Sequence, residues 1–370
     1  MATNPTDATA ASRLIVDLDA VAANWRHANA LAAPGRAAAV VKANAYGLGA
    51  VPVVRRLLRE GVRELFVARF EEALALRPEV PGDIMLAVLD GLGPGEDREA
   101  AAFGLVPVLN DLGAIERWSA LARARGERLA AILHLDTGMN RLGLGAREVE
   151  RLAQDPTRLD AIDLRFVMTH FVASECPEEG INGVQLRLFH ERRARLPPAP
   201  TSIANSSGLF LGPTAASDLA RPGAALYGLN PTPGRPNPMR PVVTVEARIL
   251  QLREIEAGEA VGYNATWRAR RPTRIATVAA GYADGYHRSL SNRGVGSLAG
   301  RRAPIVGRVS MDLITLDVTD IPEALPGAMV RLIGPEIPPD EVAEAAGTNG
   351  YEILTALGAA RHQRIYLGAA

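Results

Sequence analysis

Residues 37–50, AAAVVKANAYGLGA, contain Lys42, the only lysine among the 41 basic residues of the chain; the other 40 are arginines. A guanidinium carries charge and pairs with carboxylates as an ammonium does, but it keeps its proton near neutral pH. A lysine amine with a lowered pKa can act as a nucleophile or as a base. The lone lysine therefore indicates a neutral amine with a chemical role. The simpler alternative is a strong arginine bias that leaves one lysine by chance.

Four later segments carry polar groups where predicted strands end. They are Arg141 in DTGMNRLG, His170 in THF, Asn205 and Ser206 in ANSSG, and Arg221, Gly223 and Ala224 in ARPGAALYG. Hydroxyl and backbone N–H groups can bind an anion, and barrel enzymes often build a phosphate site from the loops after strands 7 and 8. A reactive lysine that faces a phosphate site implies a cofactor that combines an aldehyde with a phosphate, which is pyridoxal phosphate (PLP).

The elements that must position these groups alternate between short apolar strands and helices over residues 37–228. The eight predicted strands are AAAVV (37–41), LFVAR (65–69), DIMLAVL (83–89), LVPVL (105–109), AAILHLD (130–136), LRFVMTH (164–170), TSIAN (201–205) and DLARPGAALYG (218–228). Helical patterns such as VPVVRRLLREG and DLGAIERWSALARARG lie between them. This alternation predicts a (β/α)₈ TIM-type barrel, whose active groups stand at the C-terminal ends of the strands.

A proline-rich linker, GLNPTPGRPNPMRP (228–241), separates this unit from a second one. Beyond it the pattern predicts the strands PVVTVEARILQL, RIATVAAG, APIVGRVS, LITLDVT and MVRLIG without intervening helices, then one late helix, PDEVAEAAG, and a final strand, RIYLG. We therefore predict an α/β fold with a PLP-binding barrel over residues 12–235 and a mainly β domain over residues 236–370. The N-terminal strand is a candidate member of the second domain.

Composition and charge argue against several classes of protein. The chain has 370 residues, 48% of them hydrophobic, and zero formal net charge, so nothing favours a nucleic-acid or membrane partner. The single cysteine, Cys176, excludes an internal disulfide and a thiolate zinc site, and the six histidines show no metal-ligand spacing. The N-terminal MATNPTDATAASR lacks the regions of a signal peptide, and no apolar run approaches a membrane span. We expect a cytoplasmic protein without a bound metal.

Each motif taken alone also has another interpretation, either as a purely structural element or as part of a different kind of protein. ANSSG could do no more than mark the start of a helix, since Ser and Asn are good N-caps. GYADGYHR (281–288) could be a plain hairpin turn. A lone histidine such as His170 is more often structural than catalytic. The DTG of residues 136–138 has no second copy, which an aspartic protease would need. GLGPG (91–95) has Glu96 where a dinucleotide-binding loop needs its third glycine.

The order and spacing of the motifs together are far more specific. Over nearly its whole length the chain resembles the bacterial alanine racemases. VVKANAYGLG, the motif around the lysine, is followed in the family's order by DTGMNRLG, THF, ANSSG, RPGAALYG, GYNATW, GYADG, GRVSMD and NGYEIL. The resemblance implies a PLP-dependent homodimer with shared active sites, which interconverts L-alanine and D-alanine. Supply of D-alanine for peptidoglycan is the role expected from the family, and the sequence leaves a catabolic role open.

The resemblance also implies which residues bind the cofactor. Lys42 forms the Schiff base with PLP, and Arg221 faces the pyridine nitrogen and is positioned by His170. An arginine there leaves the ring nitrogen unprotonated, which disfavours transamination. The remaining cofactor-binding residues are Tyr46, Ser206, Gly223, Ala224 and Tyr351 around the phosphate, together with Asn205.

On the substrate side, the resemblance assigns Arg141 to the PLP phenolic oxygen and the substrate carboxylate. Tyr263, in GYNATW, is the second catalytic base and comes from the other subunit, as do Tyr282 and Met311 at the substrate entrance and carboxylate site. The substrate amine displaces Lys42 to form the external aldimine. Lys42 and Tyr263 then act on opposite faces of the substrate Cα, as racemisation requires.

One position departs from the family pattern. Many members carry a carbamylated lysine two residues before the Asp of DTGM, where it orients the arginine. This chain has His134 there. A neutral imidazole or a bound anion could replace the carbamate, and the sequence leaves both open.

Three other functions remain as alternatives. A serine or broader-specificity racemase would use the same motifs. A PLP-dependent decarboxylase shares the architecture, but its ring nitrogen should face an acid where this chain has Arg221. A non-catalytic PLP carrier would be a single barrel without the second domain or Tyr263. Comparing Cα-proton exchange with CO₂ release separates the enzymes, and retained PLP without turnover would indicate the carrier.

Overall fold

The structure is a computed structural model that describes residues 10–358 and 360–369 of the 370-residue chain. The predicted absence of a signal peptide falls mainly on residues 1–9, which lie outside the described residues. The described strands form a nine-stranded parallel sheet, an eight-stranded second sheet and a two-stranded ribbon. Within the described ranges, none of the helices has the length and apolarity that crossing a membrane requires.

The parallel sheet closes into a barrel with eight strand positions. Strand 1 is split into Arg36–Ala37 and Ala39–Val40, and strands 2 to 8 are Glu64–Val67, Met85–Val88, Val106–Leu109, Leu129–His134, Ile162–Met168, Thr201–Ser202 and Leu219–Ala220. The first half of strand 1 pairs with strand 8, and the second half pairs with strand 2. Hydrogen bonds from Ala38 N to Ala220 O (2.9 Å) and from Val40 N to Pro222 O (3.0 Å) continue the closure. The predicted barrel is confirmed.

Helices cover the outside of the barrel, which is why its strands are apolar on both faces. The α-helices of this part are Leu18–Leu31, Ala50–Arg59, Phe70–Leu76, Asp97–Ala102, Leu112–Arg125, Ala146–Gln154 and Gly180–Arg193. Short 3₁₀ helices are Arg77–Glu79, Pro156–Leu159, Ser207–Leu211, Pro213–Ala215 and Ala224–Tyr227. Local signals set the ends of these helices. The Asp111 carboxylate, for example, accepts a hydrogen bond from Ala114 N (2.7 Å) at the start of Leu112–Arg125, and Gly126, with φ 68°, ends that helix.

The second sheet is built around one long strand, Val243–Ile255. Its other members are Ser12–Asp17, Thr273–Val278, Val295–Leu298, Arg301–Pro304, Ile314–Asp317, Met329–Ile333 and Gln363–Leu367, and the ribbon is Ala260–Val261 with Trp267–Arg268. Short 3₁₀ helices are Tyr263–Ala265, Tyr282–Asp284 and Arg288–Leu290. The N-terminal strand Ser12–Asp17 pairs antiparallel with the long strand and parallel with Gln363–Leu367. It therefore lies in the second sheet, although the predicted range for the barrel domain begins at residue 12.

Several predicted elements differ from the observed ones. The prediction of one late helix is wrong, because Pro339–Ala346 is followed by a second helix, Gly350–Gly358. Asn349 caps that helix by accepting a hydrogen bond from Glu352 N (3.0 Å), and Ile353, Leu354 and Leu357 bury its apolar side. Barrel strand 8 is only two residues long, because the chain turns into a 3₁₀ helix at Ala224.

Candidate active site

Lys42 follows barrel strand 1 and opens a left-handed turn. Ala43, Asn44, Ala45 and Tyr46 have φ values of 51°, 54°, 53° and 54°. Left-handed backbone costs about 1–2 kcal/mol per non-glycine residue, so neighbouring groups must hold this turn. The Glu72 carboxylate accepts a hydrogen bond from Ala43 N (2.6 Å), and the Asn44 side chain accepts one from Ala50 N (2.7 Å). Backbone strain of this kind concentrates at functional sites.

The Lys42 amine lies in a partly buried, cationic environment. Burial lowers the pKa of this amine, and the positive charge of Arg141 lowers it further, against the opposing charges of Asp90 and Glu72. Among the ion pairs of the described residues, none involves Lys42, Arg141 or Arg221. The environment favours the neutral amine, and the excess positive charge suits anionic ligands.

A backbone cradle lies beside the lysine turn. Ser206 Oγ accepts hydrogen bonds from Gly223 N (3.0 Å) and Ala225 N (3.2 Å), so the two N–H groups converge on one point. A Cβ on Gly223 would stand 2.3 Å from Tyr46 Oη, so only glycine lets the cradle approach Tyr46. The Tyr46 ring packs on that of Tyr227, with centroids 4.7 Å apart. Convergent N–H groups with a nearby hydroxyl are a typical phosphate-binding arrangement.

Arg221 forms the buried floor of the site, and its side chain is held by several groups. Nη1 donates to Ser202 Oγ (2.5 Å), and Nη2 donates to Thr169 O (2.6 Å). A longer contact of 3.5 Å joins Nη2 to His170 Nδ1. Burial lowers the pKa of Arg221 to about 10, so the guanidinium stays charged at neutral pH. Within the described residues Nε has no hydrogen-bond partner, and it remains free for a ligand atom.

His170 is neutral in this environment. Burial lowers its pKa to about 3, with further contributions from the charges of Arg221, Arg141 and Lys42. A neutral imidazole can accept a hydrogen bond from Arg221 without adding charge to the site. The structure thus places His170 beside Arg221, while Ser202 and Thr169 make shorter bonds to the guanidinium.

His134, the residue that departs from the family pattern, is buried at the end of barrel strand 5. Its Nδ1 lies 2.8 Å from Asn110 Oδ1, and the Asn110 amide donates to Leu89 O (3.1 Å) and Val108 O (3.3 Å). Because the amide nitrogen is occupied by two carbonyls, Asn110 Oδ1 is the acceptor and His134 carries its proton on Nδ1. Burial and the charge of Arg221 lower the pKa of His134 to about 4.

Arg141 lies on the loop that covers His134. The loop leaves strand 5 and returns where Leu144 N donates to His134 O (2.8 Å) and Asp136 N donates to Leu144 O (3.1 Å). The Asp136 carboxylate accepts hydrogen bonds from three successive backbone N–H groups, those of residues 138–140. The Arg141 side chain is exposed, and the structure assigns it no hydrogen bond among the described residues. Only the loop backbone is held firmly.

Two predicted cofactor-binding residues have protein partners in the structure. Asn205 Oδ1 accepts hydrogen bonds from Ser174 Oγ (2.8 Å) and Gly208 N (2.8 Å), so this side chain stabilises its own loop. Tyr351 Oη donates to Glu175 Oε1 (3.0 Å), while its ring lies 6.1 Å from that of Tyr46. Ala224 follows Gly223 in the cradle, but the N–H that reaches Ser206 beside that of Gly223 belongs to Ala225.

Three predicted site residues stand on the surface of the second domain. Tyr263 is 69% exposed, Met311 is 53% exposed and Tyr282 is 43% exposed. None of them has a described ring contact or side-chain hydrogen bond to the lysine turn. Tyr282 and Met311 lie on turns whose backbones hydrogen-bond to each other, and exposed apolar side chains grouped in this way are typical of a surface that another protein covers.

Sequence reasoning missed several residues that support the site. These are Glu72, which holds the turn after Lys42; Ser202 and Thr169, which bind Arg221; Asn110, which fixes His134; and Tyr227, whose Oη donates to Val40 O (3.0 Å). Tyr227 lies in the RPGAALYG motif, and its spacing from Arg221 could have identified it. The others act through contacts distant in sequence, for which no local signal exists.

Comparison with known proteins gives consistent matches along the chain. The family model described as "Alanine racemase, N-terminal domain" matches residues 16–231, and "Alanine racemase, C-terminal domain" matches residues 242–366. An alanine racemase of Acidiphilium cryptum is 52% identical over 95% of this chain and 98% of its own length, and one of Rhodospirillum rubrum is 49% identical over 97% and 96%. The crystal structure of alanine racemase from Bartonella henselae with covalently bound pyridoxal phosphate has a TM-score of 0.93 at 41% identity, covering 97% of this chain and all of that one.

Proposed function

The chain belongs to the alanine racemase family, and from that premise we propose that it interconverts L-alanine and D-alanine with PLP bound at Lys42. The observation that carries this proposal is the convergence of a desolvated amine, a backbone anion cradle and a buried guanidinium at one end of the barrel. The alanine racemases at 45–52% identity, aligned over nearly the whole chain, support the choice of substrate.

The residues at the barrel mouth fit PLP. The phenol of Tyr46 and the hydroxyl of Ser206 would hold the phosphate, together with the N–H groups of Gly223 and Ala225 once these exchange Ser206 Oγ for a phosphate oxygen. Arg221 would meet the ring nitrogen through its free Nε and, as a retained cation, would leave that nitrogen unprotonated. Tyr351 and Ala224 are proposed as further neighbours of the phosphate, and Asn205 supports the loop that carries Ser206.

Bound PLP supplies a conjugated, electron-withdrawing ring that makes the Cα proton of the substrate acidic. Lys42 takes up or delivers that proton on one face of Cα, since burial and Arg141 favour its neutral form. Tyr263 does the same on the opposite face, and two bases on opposite faces are what racemisation needs. Arg141 binds the substrate carboxylate and thereby fixes the orientation of Cα between the two bases.

The proposal includes a homodimer in which each site draws on both chains. Tyr263, Tyr282 and Met311 are exposed on the second domain, and a partner's barrel would cover them. An interface of this kind is isologous, so two equivalent sites form at once. Tyr263 would then complete the partner's site, while Tyr282 and Met311 would line its entrance and carboxylate pocket.

We also propose the domain limits 12–235 and 236–370, with strand Ser12–Asp17 joining the second domain through its pairing with that sheet. Family membership supports a cytoplasmic enzyme that supplies D-alanine for peptidoglycan.

The test is an assay of purified protein with PLP and a panel of single enantiomers, including alanine and serine, analysed by chiral chromatography. We expect D/L interconversion of alanine above all others, and Lys42→Arg should abolish it without unfolding the protein. Equal or faster turnover of serine would indicate a serine or broader-specificity racemase, whereas CO₂ release would indicate a decarboxylase. Retained PLP without any turnover would refute the enzymatic assignment.

A further inference from the structure

We propose that Arg361 is a positioning residue for racemisation, because it ties together the two turns that carry Tyr282 and Met311. The two turns are residues 281–285 and residues 310–313. The inference rests on the proposed function, in which Tyr282 and Met311 line the partner's substrate site. It concerns a residue that does not itself reach the substrate.

The two turns interlock through their backbones. Tyr282 N donates to Ser310 O (3.0 Å), and Ala283 N donates to Met311 O (2.9 Å). A Cβ on Gly281 would stand 2.3 Å from Met311 O, so the turns approach as closely as glycine allows. A displacement of one turn would therefore move the other.

Arg361 binds the carboxylates of both turns at once. Its Nε donates to Asp284 Oδ1 (3.0 Å) and its Nη2 to Asp284 Oδ2 (3.2 Å), a bidentate pair. The same Nη2 donates to Asp312 Oδ1 (2.7 Å), next to Met311. Asp284 Oδ2 also accepts a hydrogen bond from Gly281 N (2.9 Å), which fixes the carboxylate within its own turn. A planar guanidinium can hold this geometry, and a point-charge ammonium cannot.

The next residue anchors the same turn to the second sheet. His362 Nε2 donates to Asp284 O (2.8 Å), so its Nδ1 accepts a hydrogen bond from Ser12 Oγ (2.8 Å). Ser12 begins the N-terminal strand, and Gln363 begins the C-terminal one. Arg361 thus lies two residues before the edge strand Gln363–Leu367 and next to the anchored His362, while the side chains that it positions have little packing of their own, since Tyr282 and Met311 are exposed.

Arg361 contributes little to the overall stability of the folded protein. Its side chain is 58% exposed, and water screens exposed ion pairs, so they contribute little to stability. Arg331 offers a matched control, because it also joins two carboxylates from different segments of this domain. Its Nη1 lies 2.6 Å from Glu336 Oε1 and its Nη2 lies 3.4 Å from Glu246 Oε1, away from the two turns.

The experiment compares Arg361→Ala, Arg361→Lys and Arg331→Ala as PLP-loaded enzymes. We expect Arg361→Ala to raise KM for both enantiomers of alanine by about tenfold and to leave kcat within about twofold of wild type. The reason is that a less ordered pocket weakens substrate binding more than it slows the chemical step. Arg361→Lys should recover part of the loss, and Arg331→Ala should leave both constants unchanged. An unchanged KM in Arg361→Ala, or an equal rise in Arg331→Ala, would overturn the proposal.

Amide hydrogen exchange gives a readout that does not depend on activity. Exchange over residues 281–285 and 310–313 should speed up in Arg361→Ala and Asp312→Asn, and remain at the wild-type rate in Arg331→Ala. Unchanged exchange in these segments would overturn the positioning role even where racemase activity is normal. A wild-type protein without racemase activity would instead refute the proposed function, and faster exchange in Arg361→Ala would still support the link between the turns. If Arg361→Ala does not fold, Arg361→Lys carries the same comparison.

Discussion

Replacing His134 with glutamine should make the protein less sensitive to acid. His134 is held neutral in the folded chain, with its pKa lowered from 6.5 to about 4 by burial and by the charge of Arg221. In the unfolded chain the same imidazole regains its ordinary pKa. At pH values between these two pKa values, the imidazole binds a proton in the unfolded state but not in the folded state. Stability is therefore fully present above the unfolded pKa and is lost as the pH falls towards the folded one.

The magnitude follows from the two pKa values. Lowering the pH from about 7.5 to about 5 should cost about 2 kcal/mol of unfolding free energy through His134 alone. His134→Gln removes this proton uptake, and a glutamine amide can still meet Asn110. The buried His170, with its pKa lowered to about 3, remains in both proteins, so its effect cancels in the comparison.

The assay is urea unfolding of wild type and His134→Gln at the two pH values, with equal protein and cofactor concentrations. His27→Gln serves as the control, since His27 is exposed and its loss removes an imidazole without touching the site. We expect the variant to lose about 2 kcal/mol less than wild type on acidification, and the control to lose as much as wild type. Equal losses in wild type and His134→Gln would refute the neutral, Asn110-bound imidazole.

Four further outcomes follow from the proposed site. Borohydride reduction of the PLP-loaded protein should attach the cofactor to the Lys42 peptide rather than to the N-terminal amine; unmodified Lys42 peptide from a fully reduced sample would contradict this. Arg221→Glu should increase transamination side products, and an unchanged product ratio would mean that the ring nitrogen is not its partner. Gly223→Val should weaken PLP binding in spectral titrations, because its Cβ would stand 2.3 Å from Tyr46 Oη; wild-type affinity would place the phosphate elsewhere. Lys42→Ala and Tyr263→Phe homodimers should be nearly inactive, whereas random mixing should restore roughly a quarter of wild-type sites; verified mixed dimers without activity would refute the shared site.

The sequence predicts those parts of the molecule that local patterns determine. Apolar strands alternating with helices identify the barrel, because a strand covered on both faces must be apolar throughout. Lys42, Ser206 and Arg221 follow such strands, so the end of the barrel at which they meet is predictable as well. The second late helix is harder to predict, because only the N-cap residue Asn349 marks its start and the NGYEIL motif is short.

Contacts between distant segments are not predictable in this way. The left-handed turn after Lys42 contains three residues, Ala43, Ala45 and Tyr46, of types that rarely adopt positive φ. Their residue types therefore do not predict a left-handed turn. It exists because tertiary contacts, such as that of Glu72 with Ala43 N, outweigh the local preference. The tautomer of His134 likewise depends on Asn110, which lies 24 residues away in the sequence.

Burial explains why the chain uses arginine at residue 221 and keeps its only lysine at residue 42. A fully buried lysine loses its proton readily, since burial can lower an amine pKa by several units. Arg221 is 3% exposed and its pKa is about 10, so a guanidinium there remains charged and continues to donate to Ser202 and Thr169. An amine in that position would become neutral and lose the charge that the ring nitrogen is proposed to meet. At residue 42 the proposed role has the opposite requirement, because a base must be able to release its proton, and a guanidinium does not. Burial that would neutralise a lysine after strand 8 therefore removes a needed charge there, whereas the partial burial of Lys42 after strand 1 suits the proton transfer that we propose for it.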